Sequence, residues 1–172
     1  MTSLLRPFLD RWRLCALIAS ALMLAIAHAF ERFGHLAPCT LCLKQREVYW
    51  WAGSLALAFM VIVRLPGGPR IRQATCWVLA LAFLVGAGVA AYHAGAEWKF
   101  WPGPTTCAGS GSATVNADAM SALLNGAKIR GPACDKAAWV FLGLSMAGWN
   151  ALISLALAGL SAAAAQRERS KP

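Results

Sequence analysis

The sequence predicts an all-α membrane protein: one domain over residues 1–172, built as a four-transmembrane-helix bundle with two loops on one side of the membrane, the second loop containing a short surface helix. Three observations carry this prediction. The chain is 59% hydrophobic and only 13% charged, whereas a soluble domain is about half apolar and about a quarter charged. Four apolar runs divide it, at roughly 12–30, 43–63, 74–92 and 137–160. The net charge of +9 lies in short stretches between those runs rather than in a patch beside a polar fold, which speaks for membrane orientation and against a nucleic-acid partner.

The first run, Trp12–Phe30, meets the ~20 residues a helix needs to span a bilayer. It also admits a signal-peptide reading, with Arg6, Arg11 and Arg13 as the basic region and Ala27-His28-Ala29 as an A-x-A site. Both readings put the following loop on the same side. The second run is strictly apolar only from Val48 to Val63 and borrows a turn from about Leu43, with Lys44 and Arg46 reaching toward the interface. The turn Leu65-Pro66-Gly67-Gly68-Pro69 joins it to the third run, Ala74–Tyr92, as an antiparallel pair. The fourth run is Ala137–Leu160. Small residues recur inside the spans (Gly53, Gly86, Gly88, Gly143, Gly148), where they let helices approach closely. In the long loop Val115, Met120, Leu123, Leu124 and Ala127 follow a helical spacing that Asn116 could cap. A helix there would lie on the membrane surface or pack on its own protein.

Orientation follows from the basic residues. The two termini and the 64–73 turn hold nine Lys or Arg in 35 positions, against seven in the 61 positions of the other two loops, 31–47 and 93–136. The positive-inside rule places both termini and the 64–73 turn in the cytoplasm and the other loops outside. For a bacterial inner membrane that outside is the periplasm.

The cysteines divide along the same line. Cys15 and Cys76 fall near the cytoplasmic face and read as small buried hydrophobes. Cys39, Cys42, Cys107 and Cys134 all lie in the outward loops, where an oxidising compartment allows disulfides. Cys39-Thr40-Leu41-Cys42, directly after Pro38, is a Cys-x-x-Cys pair. Such a pair serves redox centres, zinc sites and structural disulfides. Its close spacing allows a readily reduced ring and a lowered thiol pKa. Arg46 lies one helical turn past Cys42, placed to favour a thiolate or to donate to a ligand carbonyl. Cys107 follows Pro102-Gly103-Pro104-Thr105-Thr106 and Cys134 follows Gly131-Pro132-Ala133, so both are expected on accessible, non-helical segments. Four cysteines could hold one zinc ion, but zinc sites of that kind usually carry two Cys-x-x-Cys knuckles and this chain has one. No metal is expected. The remaining alternative is a non-enzymatic membrane protein whose loops are stapled by structural disulfides.

Pro38-Cys39-Thr40-Leu41-Cys42-Leu43-Lys44-Gln45-Arg46 resembles the Pro-Cys-x-x-Cys…Arg signature of the disulfide bond formation protein B (DsbB) family. Tyr92-His93, Glu97 and Trp101-Pro102-Gly103-Pro104…Cys107 resemble the approach to that family's third cysteine, with Cys134 as the fourth. The run Trp139–Met146 resembles the start of its last helix. The resemblance implies a thiol:quinone oxidoreductase that reoxidises a soluble periplasmic dithiol oxidase of the DsbA type and passes the electrons to the membrane quinone pool, a route that keeps the bacterial periplasm oxidising. It implies that Cys107 forms the mixed disulfide with the partner, that Cys134 shuttles by pairing with Cys39, and that Cys42 reduces the quinone, ubiquinone or menaquinone, beside Arg46. His93, just past the third span, is expected near the quinone headgroup or as an interfacial histidine bonded to the loop. Glu97 is expected to be an interfacial carboxylate. His28 and His35 carry no assigned role. Trp50, Trp51, Trp98 and Trp101 are expected as interface anchors.

Overall fold

The structure is a computed structural model and describes residues 2–64, 68–104 and 134–170, with side chains from Arg6 onward. Helix α1 (Thr2–Asp10) leads into α2 (Trp12–Arg32), followed by α3 (Thr40–Ile62) and α4 (Gly68–Glu97). A small antiparallel hairpin, β1 (Val140–Phe141) and β2 (Leu144–Ser145), precedes α5 (Met146–Arg169). The surface helix expected around 115–127, most of the Pro-Gly turn, and Cys107 lie outside the described residues.

Helices α2, α4 and α5 are long and apolar enough to cross a membrane. Helix α3 is as long, but Lys44-Gln45-Arg46-Glu47 fills its second turn with polar groups. Two helices differ from the sequence expectation in their bounds. Helix α4 runs well past 74–92 at both ends. The last helix begins at Met146 rather than near 137, and it ends at Arg169 rather than near 160. The reason for the late start is local. Leu142 and Gly143 have φ of 50° and 78°, and a two-residue connection with both φ positive is a type I′ turn, which closes a hairpin and cannot continue a helix. Ser145 then caps α5, its Oγ accepting from the Gly148 N–H at 3.1 Å. Trp149 Nε1 donates back to the Phe141 carbonyl at 3.0 Å and ties the hairpin onto the helix.

Helices α4 and α5 pack most extensively, α3 lies against α2 and α4, and α2 touches α5 only lightly. The two most extensively packed helices both bury small residues, Gly86, Ala87, Ala90 and Ala94 on α4 and Ala147, Ser154, Ala158 and Ala165 on α5. In lipid the driving force is close van der Waals packing, so small side chains favour helix approach. A Cβ added at Gly86 would lie 3.0 Å from Val48 Cγ1 and 3.5 Å from Ser154 Oγ, so three helices converge on that glycine. The core is filled by Trp12, Tyr49, Leu79 and Phe83. The buried Cys76 and half-buried Cys15 pack in or against it, as their sequence context suggested.

At the end carrying the termini, Trp12 Nε1 donates to Ser161 Oγ at 2.8 Å. Buried Arg13 donates to Thr75 Oγ1 and to the Arg72 carbonyl at 3.0 and 2.7 Å, and pairs with buried Glu168 at 3.8 Å, which Arg72 also reaches at 3.3 Å. A buried charge is tolerated when paired and costly when not, so this cluster pins α2, α4 and α5 together at one end. Cys39, Cys42 and Cys134 occupy the other.

Candidate active site

Cys39 is the N-cap of α3. Its backbone is extended (φ −79°, ψ 171°) and its Sγ accepts the Cys42 N–H at 3.2 Å. This is a serine-type cap made with sulfur. It turns the Cys-x-x-Cys spacing into geometry: Cys39 sits just before the helix, Cys42 completes its first turn, and the two Sγ atoms lie 2.9 Å apart as free thiols. Cys39 is buried and Cys42 half-buried.

The last turn of α4 supplies His93 and Glu97, one turn apart on one face. His93 Nε2 lies 3.6 Å from Cys39 Sγ and 3.6 Å from Glu97 Oε1. Both side chains are almost fully buried, and Glu97 Oε2 has no hydrogen-bond partner among the described residues. His93 Nδ1 accepts from Gln45 Nε2 at 2.7 Å. Gln45 Oε1 accepts from Asn150 Nδ2, Asn150 Oδ1 accepts from the Tyr49 hydroxyl at 2.5 Å, and Tyr49 meets Ser154 Oγ at 2.8 Å. The result is a continuous buried chain, Ser154–Tyr49–Asn150–Gln45–His93, drawn from α3, α4 and α5 and ending on Cys39. With Nδ1 as acceptor, the ring proton is on Nε2 and points toward Cys39 and Glu97. The Cys39 pKa is drawn well below the ordinary thiol value by the Cys42 thiol hydrogen bond, against desolvation, with His93 adding to it. The Cys42 backbone N–H and the His93 ring both face Cys39, which makes it the better seat for negative charge in the dithiol.

Cys134 is the third cysteine of the site. It is 1% exposed and packs with Cys39, Leu41 and Cys42, with its Sγ 3.6 Å from Thr40 Oγ1. The expectation of an accessible segment therefore fails for Cys134. The reason is long-range: Asp135 pairs with Lys99 at 2.5 Å, which holds this stretch against the end of α4. That ammonium beside it keeps the Asp135 carboxyl below the usual carboxylate range. Cys134 is disulfide-bonded, while Cys39 and Cys42 are not.

The pair opens on a cavity of about 400 Å³ between α2, α3, α5 and the hairpin, within the ~300–1,000 Å³ usual for small-molecule sites. Its wall is apolar and aromatic, with Met23, Ile26, Phe30, Trp139, Phe141 and Trp149, and its polar end carries Cys39, Cys42, Arg46, Gln45 and His93. Trp139 stacks on Phe141 with ring centroids 5.6 Å apart and meets Phe30 at 5.3 Å. The expected anchors Trp50, Trp51 and Trp98 are exposed on the outside, as is much of Trp101. Arg46 reaches the cavity, but its guanidinium is held by α2: Nη1 bonds Glu31 Oε2 and Nη2 donates to the Ala27 carbonyl at 3.0 Å. Gln45, Tyr49, Asn150 and Glu31 were not among the sequence-derived site residues. A signal existed for Tyr49 and Asn150, since polar groups inside apolar spans are costly and tend to mark a site.

These features define a class: a multi-pass helical membrane protein organised around a buried, closely spaced cysteine pair at the polar end of an apolar cavity. The family model described as Disulfide bond formation protein DsbB matches residues 10–164. The chain is also 32% identical over 139 residues to the disulfide bond formation protein B of Dechloromonas aromatica (strain RCB), an alignment covering 76% of each chain. The protein belongs to the DsbB family, which gives it a general role as a membrane oxidoreductase of disulfide bond formation. No solved structure matches the chain.

Proposed function

We propose that this protein is a thiol:quinone oxidoreductase of the bacterial inner membrane. In this reading four helices cross the bilayer, both termini are cytoplasmic, and the loops face the periplasm. It takes electrons from a soluble DsbA-type dithiol oxidase through Cys107 and Cys134 and passes them through Cys39 and Cys42 to a membrane quinone. The observation that carries the reading is the meeting of three things at one point: a free dithiol, a disulfide-bonded Cys134 packed beside it, and an aromatic-walled cavity. That arrangement suits two-electron exchange better than a structural staple, which would need no unpaired thiols.

The cavity fits a quinone by its chemistry. A flat ring and isoprenoid tail match the aromatic and aliphatic wall, and donors stand at the polar end: the His93 Nε2–H and the Arg46 N–H groups left over from its two bonds to α2. When bound, a quinone supplies an acceptor for two electrons and two protons. The chain's residues do the rest. A thiolate of the reduced partner attacks the Cys107 sulfur while it is held in a disulfide, forming the mixed disulfide and releasing the other sulfur as a thiolate. Cys134, packed against Cys39, then attacks as a thiolate on Cys39 in the oxidised Cys39–Cys42 disulfide, Cys42 leaves as a thiolate, and resolution of the Cys134–Cys39 mixed disulfide by a further thiolate leaves both Cys39 and Cys42 reduced. The Cys39–Cys42 dithiol closes to a disulfide, releasing two electrons and two protons toward the cavity. His93 holds the charge that develops at Cys39 through its Nε2–H. Arg46, fixed by Glu31, presents a stationary positive charge.

Purified protein in detergent, given reduced partner dithiol and a soluble quinone, tests this. The expected result is quinone reduction that disappears in Cys42→Ser, while Cys107→Ser stops exchange with the partner but leaves the Cys39–Cys42 dithiol able to reduce quinone in a single turnover. Full turnover by both variants would sink the mechanism and favour the structural-disulfide alternative.

A further inference from the structure

The reduced cysteine centre offers more donors than electron transfer requires. Cys39 Sγ, Cys42 Sγ and His93 Nε2 all lie within 4.8 Å of one another, two of the three residues buried. Glu97 stands beside this group rather than within it, with Oε1 3.6 Å from His93 Nε2 and Oε2 buried without a hydrogen-bond partner among the described residues. We propose that the reduced centre is a binding site for a thiophilic divalent cation, Zn²⁺ or Cd²⁺, ligated by Cys39, Cys42 and His93, with the Glu97 carboxylate turning toward the sulfurs to complete the set.

The spacing supports this. Zinc binds S at ~2.3 Å, N at ~2.0–2.1 Å and carboxylate O at ~2.0–2.2 Å in a tetrahedron, so ligand atoms should stand about 3.6 Å apart for S and N and about 3.4 Å for N and O. The observed separations are 3.6 Å for Cys39 Sγ to His93 Nε2 and 3.6 Å for His93 Nε2 to Glu97 Oε1. The two sulfurs, at 2.9 Å, must open to about 3.8 Å, a small rotation of the half-buried Cys42 side chain. The Cys42 N–H on Cys39 Sγ is a bond a coordinated thiolate also accepts.

The outer shell suits the same role. A ligating histidine donates its other ring N–H to a fixed acceptor. The Gln45–Asn150–Tyr49–Ser154 chain can supply one, because it runs equally well in reverse. With both amides turned over, His93 Nδ1–H donates to Gln45 Oε1, Gln45 donates to Asn150 Oδ1, Asn150 donates to the Tyr49 oxygen, and Tyr49 donates to Ser154. His93 Nε2 is then a bare lone pair facing the two sulfurs. Binding replaces the thiol protons with the cation and releases them to solvent. It differs from a four-cysteine zinc site, because neither Cys107 nor Cys134 takes part. It is also mutually exclusive with a Cys39–Cys42 disulfide, so the ion would arrest the redox cycle rather than serve it.

The test uses the full chain in detergent with Cys15, Cys76, Cys107 and Cys134 replaced by Ala, so that the only thiols left are the pair. Reduced, chelator-washed protein is titrated with Cd²⁺ and followed by the sulfur-to-cadmium charge-transfer absorbance. The expected result is one saturating equivalent in the reduced protein, none in the oxidised protein, and an affinity lowered by about tenfold or more in His93→Ala and by about tenfold in Gln45→Leu, which takes away the outer-shell acceptor while leaving every ligand in place. No charge-transfer band in the reduced protein would overturn the site. So would unchanged affinity in both His93→Ala and Glu97→Gln, which would mean an ordinary dithiol chelate. Neither outcome touches the quinone reading, which the turnover assay decides separately.

Discussion

Gln45→Leu isolates what the buried polar chain contributes. Gln45 Nε2 donates to His93 Nδ1 at 2.7 Å and Gln45 Oε1 accepts from Asn150 Nδ2. Leucine of similar size leaves both of those neighbours unpaired, in a site where all three residues are buried. An orphaned buried polar group costs about 1–3 kcal/mol, so the single change should destabilise by about 2–4 kcal/mol, toward the lower part of the summed range because hydrogen bonds between membrane helices average below 1 kcal/mol. Asn150→Leu should cost about 1–3 kcal/mol. It orphans Gln45 Oε1, while the Tyr49 hydroxyl turns to Ser154. The double variant removes both amides and orphans only His93 Nδ1, so it should also cost about 1–3 kcal/mol, well short of the sum of the singles. The assay is equilibrium unfolding of the four proteins of this cycle in one detergent. Additive costs would refute the chain as a coupled unit. A double variant no worse than Asn150→Leu would support it.

Three further outcomes follow from the site. Favourable donors hold the Cys39 pKa below the ordinary thiol value, so the thiolate should persist as pH falls through neutrality and be lost only when pH drops through the lowered pKa; His93→Ala should move that loss to higher pH, read from thiolate ultraviolet absorbance in protein lacking the other cysteines. A Cβ at Gly95 would lie 2.0 Å from the Trp101 ring, whose Nε1 donates to the Tyr92 carbonyl at 2.8 Å, so Gly95→Ala should displace Trp101, cost about 1–3 kcal/mol as overpacking, and shift the tryptophan emission. Glu31→Gln removes the carboxylate that holds Arg46, so quinone affinity, measured as KM, should change by several-fold while exchange with the partner dithiol does not; equal change in both steps would count against a local role for Arg46.

Much of the architecture was readable before any coordinates. The apolar runs placed α2 and α4 because a span must be continuous and apolar whatever its neighbours do. The Cys-x-x-Cys spacing implied two sulfurs one turn apart, and Cys39 as a sulfur N-cap is the local form that spacing takes. Hydropathy could not see the 140–145 hairpin, since Trp139–Ser145 is as apolar as a helix. The positive φ at Leu142 and Gly143 made the difference.

The division is sharpest at the cysteines. Sequence alone determined which cysteines form the pair, that they stand at the head of a helix, and that Arg46 follows one turn later, because these are short-range properties of one backbone segment. Tertiary structure alone decided that Cys134 is buried against that pair, that Arg46 is held by Glu31, and that His93 is oriented by Gln45, Asn150 and Tyr49. Those contacts join residues from 15 to more than 100 positions apart. Local pattern carries no record of them, because they exist only once helices from distant parts of the chain have packed side by side.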